Sequence, residues 1–299
     1  MPTFDKNQQG YSPPISIKAM RLVSALILKL LRIHGRTRWS NEFIQAINPS
    51  VTVNVKDFSS ISDDPTIWFR TGHGRLFWRA TETPSLDLDT NTWIKTFNEN
   101  DVFYDVGANI GLYSIMAAKF MKATVFSVEI DLMNARMLYE NIYMNNCQEK
   151  VTVLPFGLDS RSHQEKLFLK TMSYGDALHN LRQPNAMVID PGGIQVNVPV
   201  FRLDDVVKIL SLPSPTKIKI DVDGVDLDVL KGSVNALETV TSLVIEYMPN
   251  SETRSQIHNF LSCHGFTFDF DSIGEHTWGT VDGFFSKRIS SIIKTNKRL

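Results

Sequence analysis

The sequence lacks several features that would place it in a class at once. Only two cysteines, Cys147 and Cys263, occur in 299 residues. Neither a disulfide framework nor a cysteine zinc site is therefore readable, and a reducing, cytoplasmic compartment is expected. Basic charge is not in excess, since the net charge is -1 and the pI is about 6.7. Nothing in this balance favours DNA or RNA as a partner.

Acidic residues are missing from the N-terminal segment 15–41. Its basic side chains fall near one helical stripe opposite a stripe of apolar ones, which predicts a basic amphipathic helix. The apolar stretch 19–31 is too short and too charged to span a bilayer. Two uses stay open: packing against the main domain or a sister subunit in a homo-oligomer, and peripheral contact of residues 15–38 with an anionic membrane surface.

Period-two alternation in 51–55 and a glycine-centred turn between 66–70 and 75–79 predict a small antiparallel hairpin element. We assign residues 1–84 to an N-terminal extension and 85–299 to the main domain. From residue 101 strands alternate with helices, which is typical of a doubly wound, mostly parallel α/β sheet. The last two strands are joined by a short loop, so they are expected to pair antiparallel.

The most informative stretch begins as a buried strand at Val102 and breaks into a glycine turn before a helix. The turn reads Asp105-Val-Gly107-Ala108-Asn109-Ile-Gly111. Glycine permits positive φ and lets a ligand approach the backbone. The third glycine of a dinucleotide fingerprint is missing, and an acid precedes the turn, where it would repel phosphate.

The second strand ends at Glu129, about twenty residues after the glycines, where an acid commonly accepts both ribose hydroxyls. Glu129 is therefore the predicted ribose ligand. A cofactor with a ribose diol, an ammonium and a sulfonium suits these acids better than a pyrophosphate does. S-adenosylmethionine has those groups.

Three ordered motifs resemble the FkbM family of S-adenosylmethionine-dependent methyltransferases. They are the turn beginning at Asp105, Glu129-Ile130 after the second strand, and Lys219-Ile-Asp221-Val-Asp223-Gly224-Val-Asp226. Ile130 replaces a proline, and Asp223 and Asp226 replace glutamates of the family pattern. The resemblance covers roughly residues 85 to 250.

The resemblance implies a Rossmann-like class I methyltransferase fold with S-adenosylmethionine as cofactor. It further implies methyl transfer to a hydroxyl of a sugar, glycolipid or other small natural product. The family also places an acid-containing turn near the adenine, which corresponds to Asp159 in this chain.

The candidate catalytic residues follow the fourth and fifth parallel strands or lie in a long connection. Asp221 and Asp223 end the fourth strand and Glu246 ends the fifth, at the edge of the sheet where ligands collect. We expect Asp221 to contact the acceptor hydroxyl. No metal is assigned, although Asp221, Asp223 and Glu246 could also hold magnesium. The stretch 161–202 is predicted to be a lid or substrate loop, and its His179 is a candidate base.

Two other functions stay open at this stage. A nicotinamide-dependent oxidoreductase would use the same fold, but the third glycine and a lysine-tyrosine pair near the fourth strand are missing. A non-catalytic protein that binds a nucleoside, or a membrane through its basic helix, is the other alternative. Retention of Asp105, Gly107, Gly111 and Glu129 together favours a working cofactor site.

Overall fold

The computed structural model describes residues 50–55, 58–70, 87–170, 179–182, 194–272 and 279–287. The predicted N-terminal helix, the membrane contact through 15–38 and the strand at 75–79 lie outside these residues. Residues 50–299 form one compact unit. Within the described residues no helix is both long enough and apolar enough to cross a membrane.

Thirteen strands and six α-helices are present in the described residues. The strands are β1 Ser50–Asn54, β2 Thr66–Arg70, β3 Val102–Val106, β4 Thr124–Val128, β5 Val151–Leu154, β6 Gly157–Leu158, β7 His163–Leu169, β8 Asn180–Leu181, β9 Ile194–Phe201, β10 Lys217–Ile220, β11 Ser242–Tyr247, β12 Thr267–Asp271 and β13 Val281–Ser286. The helices are α1 Leu88–Ile94, α2 Leu112–Met121, α3 Leu132–Met144, α4 Leu203–Ile209, α5 Asp226–Lys231 and α6 Glu252–Cys263, and a 3₁₀ turn spans Ala236–Glu238.

The central sheet has the strand order β12-β13-β11-β10-β3-β4-β5. The strands from β11 to β5 are parallel, whereas β13 pairs antiparallel with both β11 and β12. Two buried apolar clusters cover its two faces. A parallel sheet buried on both faces needs nearly continuous apolar strands, which explains the composition of β3 and β11. The predicted α/β class with a terminal antiparallel pair is confirmed.

A second sheet replaces most of the lid predicted for 161–202. Its order is β6-β9-β7-β8, and β7 pairs antiparallel with the whole length of β9. Outward side chains alternate with inward ones along both strands, and this alternation is the strand signal that a loop interpretation overlooks. The prediction of a loop was therefore wrong for the described part of this stretch. Residues 171–178 and 183–193 lie outside the description.

The strand pair β1–β2 is fixed to the main domain by Asn141 of helix α3 and by Asn145, the residue that caps the C-terminus of that helix. The side-chain oxygen of Asn145 accepts the Trp68 N–H at 2.9 Å, and its amide donates to the Trp68 carbonyl at 2.7 Å. Asn141 likewise accepts the Arg70 N–H and donates to the Ile110 carbonyl. The two asparagine side chains thus form hydrogen bonds with backbone groups of β2 that a neighbouring strand would otherwise form. The domain boundary between residues 84 and 85 stays a prediction. The strand pair β1–β2 precedes that boundary but belongs to the same compact unit as the main domain.

Asn145→Ala should destabilise the protein, because it leaves the Trp68 N–H and carbonyl without these partners. The expected loss is about 2 kcal/mol, since a buried group left unsatisfied costs ~1–3 kcal/mol and these two groups are only partly buried. The free energy of unfolding in urea measures it. Tyr143→Ala, on the same helix but 74% exposed, serves as the control, and equal losses from both substitutions would contradict the proposed anchoring.

Candidate active site

The turn after β3 is held against the neighbouring strands by its backbone. The N–H groups of Gly107 and Ala108 both donate to the Val128 carbonyl, at 2.9 and 3.0 Å. Gly107 has a φ of +88°, and a Cβ there would lie 1.9 Å from the carbonyl oxygen of Asp221. Only glycine satisfies both the φ and the close approach. The turn of the cofactor strand and the end of β10 are therefore in direct contact.

Glu129 directly follows β4 and is 6% exposed. Its Oε2 accepts the N–H of Asn109, and its Oε1 accepts the N–H of Asp131, both at 2.7 Å. Each carboxylate oxygen keeps a further lone pair, so both can accept a ligand hydroxyl. Burial is the main cause that raises the pKa of Glu129 to about 7.

A cavity lies at the carboxyl ends of β3, β4 and β10. The turn residues Gly107, Ala108 and Asn109 and the acid Glu129 line it. Much of the wall is apolar and includes Ile130, Phe156, Gly157, Leu158, Leu167 and Leu181. Other parts of the wall include Tyr113, Asp221, Val222, Asp223 and Val225. The predicted turn, Glu129, Asp221, Asp223 and His179 thus surround one cavity.

Asp226 shapes the loop that carries Asp223. Its carboxylate is 6% exposed and accepts the N–H groups of Val222 and Gly224, at 3.3 and 3.1 Å. Asp223 has a φ of +43° and Gly224 a φ of +97°, so the chain turns sharply here. Burial raises the pKa of Asp226 to about 6. The acid at this helix start therefore fixes the loop in addition to any helix-dipole effect.

Lys219 lies buried beside Asp221, with its Nζ 2.7 Å from Oδ2. The ammonium also lies 4.9 Å from the centre of the Tyr113 ring. Burial by itself disfavours the ammonium, but Asp221, Asp282 and Asp105 outweigh it and raise the pKa of Lys219. Lys219 is therefore charged and holds one oxygen of Asp221.

Glu246 is partly exposed and is not among the described residues that line the cavity. Its Oε1 accepts the Thr280 hydroxyl at 2.8 Å. Burial, followed by the charges of Asp221 and Asp282, raises its pKa well above the usual value. The structure thus places Glu246 among the carboxylates around Lys219, not at the cavity as predicted from sequence.

His179 lines the cavity on the Glu129 side. Its Nδ1 accepts the Lys170 N–H at 3.1 Å, and its Nε2 lies 3.2 Å from Oδ2 of Asp131. A neutral ring that accepts at Nδ1 carries its proton on Nε2, so neither nitrogen offers a lone pair to an acceptor hydroxyl. This arrangement favours a structural role for His179 beside Glu129 over the predicted role as a base.

Asp105 and Asp159 are both buried outside the cavity lining. Asp105 is 1% exposed and accepts the Ser114 hydroxyl at 2.6 Å. Burial raises its pKa. Asp159 is 0% exposed and accepts a hydrogen bond from the Arg182 guanidinium. The structure does not bring either carboxylate to the cavity, where sequence reasoning expected cofactor contacts, and both instead support its walls.

Arg182 also pairs with Asp228 and Glu165, at 2.7 and 3.4 Å. In the described part of the chain, Asp159, His163 and Glu165 are the group whose ligand atoms converge as a metal site would require. The guanidinium of Arg182 already provides the cation there. Its ion pairs connect the end of β8, whose Leu181 lines the cavity, to Glu165 of β7 and to Asp228 of helix α5.

Sequence reasoning did not assign a site role to Tyr113, Lys219 or Gly157. Lys219 and Asp221 are two residues apart on one strand, so they share a face, and this spacing could have identified the pair. A Cβ at Gly157 would lie 2.6 Å from Ile130 and 2.9 Å from Val200. That close approach depends on the second sheet, which the sequence did not reveal.

The fold and the site together define a class I methyltransferase. The family model described as the methyltransferase FkbM domain matches residues 105–268, more than half of the chain. The chain therefore belongs to the FkbM methyltransferase family.

Three of the curated relatives that match are the following. Hexuronic acid methyltransferase AglP of Haloferax volcanii is 30% identical to this chain. The aligned region covers 56% of this chain and 65% of that relative's length. Methyltransferase sdnD of Sordaria araneosa is 28% identical over 60% of this chain and 78% of its own. A tRNA (guanine(37)-N(1))-methyltransferase of Batrachochytrium dendrobatidis matches at 25% identity over 37% of this chain and 22% of its own.

Solved structures with a similar arrangement include a precorrin-6y C5,15-methyltransferase from Geobacter metallireducens. Its sequence is 15% identical to this one, and the TM-score is 0.43. The superposition covers 69% of this chain and 89% of that structure's chain. Another is M. jannaschii TYW2 in complex with AdoMet, with 16% identity, a TM-score of 0.40, and coverage of 74% of this chain and 83% of its own.

The cofactor of this methyltransferase family is S-adenosylmethionine, and the cavity residues fit it. The Glu129 carboxylate can accept the two ribose hydroxyls. The apolar side chains of Ile130, Phe156 and Leu158 form a wall suited to the adenine. The backbone of Gly107, Ala108 and Asn109 lines the cavity, so the amino-acid portion can approach the turn directly. A nicotinamide dinucleotide is correspondingly disfavoured.

Gly107→Ala should lower both stability and cofactor binding, because the new Cβ would clash with the Asp221 carbonyl oxygen. Gly279→Ala is the matched control: its φ is +77°, but a Cβ there would have nothing within 4 Å. Both variants carry the left-handed strain, so the difference in free energy of unfolding, about 1–3 kcal/mol, reports the clash. Similar losses in both would argue against a tight contact.

Binding of S-adenosylhomocysteine should weaken as the pH falls through about 7. The ionised Glu129 accepts the hydroxyls, and a raised pKa means that protonation competes with the ligand at unusually high pH. The dissociation constant should rise by up to about tenfold per pH unit below 7 and level off above 8.

Calorimetric titration at several pH values measures this dependence. Glu129→Gln should bind weakly and without a pH dependence in this range, because its amide does not titrate. A wild-type affinity that stays constant from about pH 8 to pH 5.5 would show that Glu129 does not hold the cofactor in its ionised form.

Proposed function

We propose that this protein transfers the methyl group of S-adenosylmethionine to a hydroxyl of a sugar, glycolipid or other small natural product. The observation that carries the proposal is the position of Asp221, which lines the cofactor cavity and is 38% exposed in its side chain. The relative named hexuronic acid methyltransferase supports an acceptor of the sugar class.

Bound S-adenosylmethionine supplies a methyl group already activated on a sulfonium. The protein must hold the acceptor oxygen in line with that methyl and exclude water, and positioning of this kind can contribute up to roughly 7–11 kcal/mol. The cavity walls, closed on one side by Leu167 and Leu181, serve this purpose.

Asp221 is the proposed base. Lys219 holds its Oδ2, so we assign Oδ1 to the acceptor hydroxyl. The hydroxyl proton passes to Asp221 while the oxygen takes the methyl group, and the bond between methyl carbon and sulfur breaks. Base assistance of this kind contributes about 10²–10⁴-fold to the rate.

Methylation of RNA is the competing assignment that the tRNA methyltransferase relatives raise. Those matches are shorter than the match to AglP, and the net charge of -1 gives little attraction for phosphates. Transfer of labelled methyl groups from S-adenosylmethionine to a saccharide and glycolipid panel, with total tRNA in parallel, tests the proposal. Labelling of tRNA alone would overturn it.

Asp221→Asn should reduce kcat by about 10²-fold or more and leave the dissociation constant of S-adenosylhomocysteine nearly unchanged. The amide keeps the shape of the side chain but cannot take the proton. Initial rates with an active acceptor and calorimetric titration measure the two quantities. Asp63→Asn, an exposed change far along the chain, controls for the loss of one charge, and an undiminished kcat in Asp221→Asn would remove it as the base.

A further inference from the structure

His179 places a buried polar side chain beside the predicted ribose ligand. The side chain is 7% exposed and, like Glu129, it lines the cavity. The two groups are close enough to interact electrostatically. Burial is the largest influence on the pKa of Glu129 and raises it, whereas the charge of His179 acts in the opposite direction. His179 therefore lies next to the place assigned to the ribose of the cofactor.

The ring of His179 is held by the end of β7. The residue directly precedes β8, which pairs antiparallel with β7, and the backbone N–H of Lys170 donates to Nδ1 at 3.1 Å. Because Nδ1 accepts this hydrogen bond, the neutral ring carries its proton on Nε2. Nε2 is thus a hydrogen-bond donor whose position is set by the backbone of the second sheet.

This donor has no hydrogen-bond acceptor among the described residues. Oδ2 of Asp131 lies 3.2 Å from Nε2, but the two atoms do not have hydrogen-bond geometry, and each is buried without a hydrogen-bond partner. Asp131 instead caps helix α3, since its Oδ1 accepts the Met133 N–H at 2.9 Å. Buried polar groups normally have partners, so an unused donor in the cavity lining points to an acceptor atom on a ligand.

The ribose of S-adenosylmethionine carries acceptor atoms of this kind. Each ribose hydroxyl has one proton to donate and an oxygen that can also accept. An ionised carboxylate only accepts, so Glu129 can take the hydroxyl protons but cannot serve the hydroxyl oxygens. A donor beside Glu129 would complete the hydrogen bonding of the diol in a partly buried cavity, where unsatisfied polar groups are costly.

We propose that His179 is a second ribose-binding residue, which donates its Nε2 proton to one ribose hydroxyl oxygen while Glu129 accepts the hydroxyl protons. The Asp131 carboxylate near Nε2 favours a proton at that nitrogen. The inference goes beyond the proposed function, because it concerns the cofactor and holds for any methyl acceptor. It also agrees with the exclusion of His179 as a base, because a nitrogen that donates takes up no proton.

Calorimetric titration of the full chain with three ligands tests this role: S-adenosylhomocysteine and its 2′-deoxy and 3′-deoxy ribose analogues. The titrations are made at about pH 8, where Glu129, with its pKa of about 7, is mostly ionised. His179→Asn keeps a side-chain carbonyl that can accept the Lys170 N–H but has no donor at the position of Nε2. We expect it to bind S-adenosylhomocysteine about three- to tenfold more weakly than the wild type.

The deoxy analogues separate ligand binding from a purely structural role. One of them lacks the oxygen that His179 contacts, so His179→Asn should bind that analogue nearly as well as the wild type does. An equal factor of weakening for all three ligands, or an unchanged affinity for S-adenosylhomocysteine, would overturn the inference. His163→Asn makes the same substitution on β7 of the same sheet, at a residue that is not in the described cavity lining, and should change none of the three affinities.

His179→Gln is the converse variant, because its amide can place a donor near the position of Nε2. We expect it to bind S-adenosylhomocysteine within about threefold of the wild type and to distinguish the two hydroxyls as the wild type does. It keeps the inference testable if His179→Asn does not fold, and loss of this distinction in folded His179→Gln would contradict a donor role. A wild type that binds all three ligands equally would overturn the assignments of both His179 and Glu129, whereas the identity of the methyl acceptor affects neither.

Discussion

The close approach of the Gly107 backbone to the carbonyl oxygen of Asp221 is the constraint on which the site depends. This contact joins the glycine turn after β3 to the end of β10. It therefore positions both the turn that lines the cofactor cavity and the proposed base, Asp221. The same turn is fastened to β4 through the Val128 carbonyl, and β4 leads directly into Glu129. Three strand ends are thereby fixed relative to one another before any ligand arrives.

Electrostatics divides the acids of this region into two groups. Those that line the cavity face ligands, whereas Asp105, Glu246 and Asp282 are not part of its lining and interact with the buried ammonium of Lys219. Burial raises the pKa of both Asp105 and Glu246, because it disfavours their charged forms. The buried lysine keeps the remaining carboxylates together and orients Asp221.

The mostly parallel sheet with its terminal antiparallel pair, the glycine turn and the acid after β4 could be predicted from sequence, because apolar periodicity and glycine spacing reflect local backbone requirements. The second sheet was missed although β7 and β9 alternate, because the glycines and prolines between these two strands indicated a loop. The roles of Asp159 and Glu246 were also beyond reach. A carboxylate at a strand end can face either a ligand or a buried cation, and only the packing of Arg182 and Lys219 decides between them.

Calorimetric titration of the purified chain with S-adenosylmethionine, with NADH in parallel, tests the central claim that this cavity is a methyltransferase cofactor site. Saturable one-to-one binding of S-adenosylmethionine, with no heat from NADH, is the result expected from the carboxylate lining and the glycine turn. Binding of NADH in its place, or of neither compound, would contradict the account.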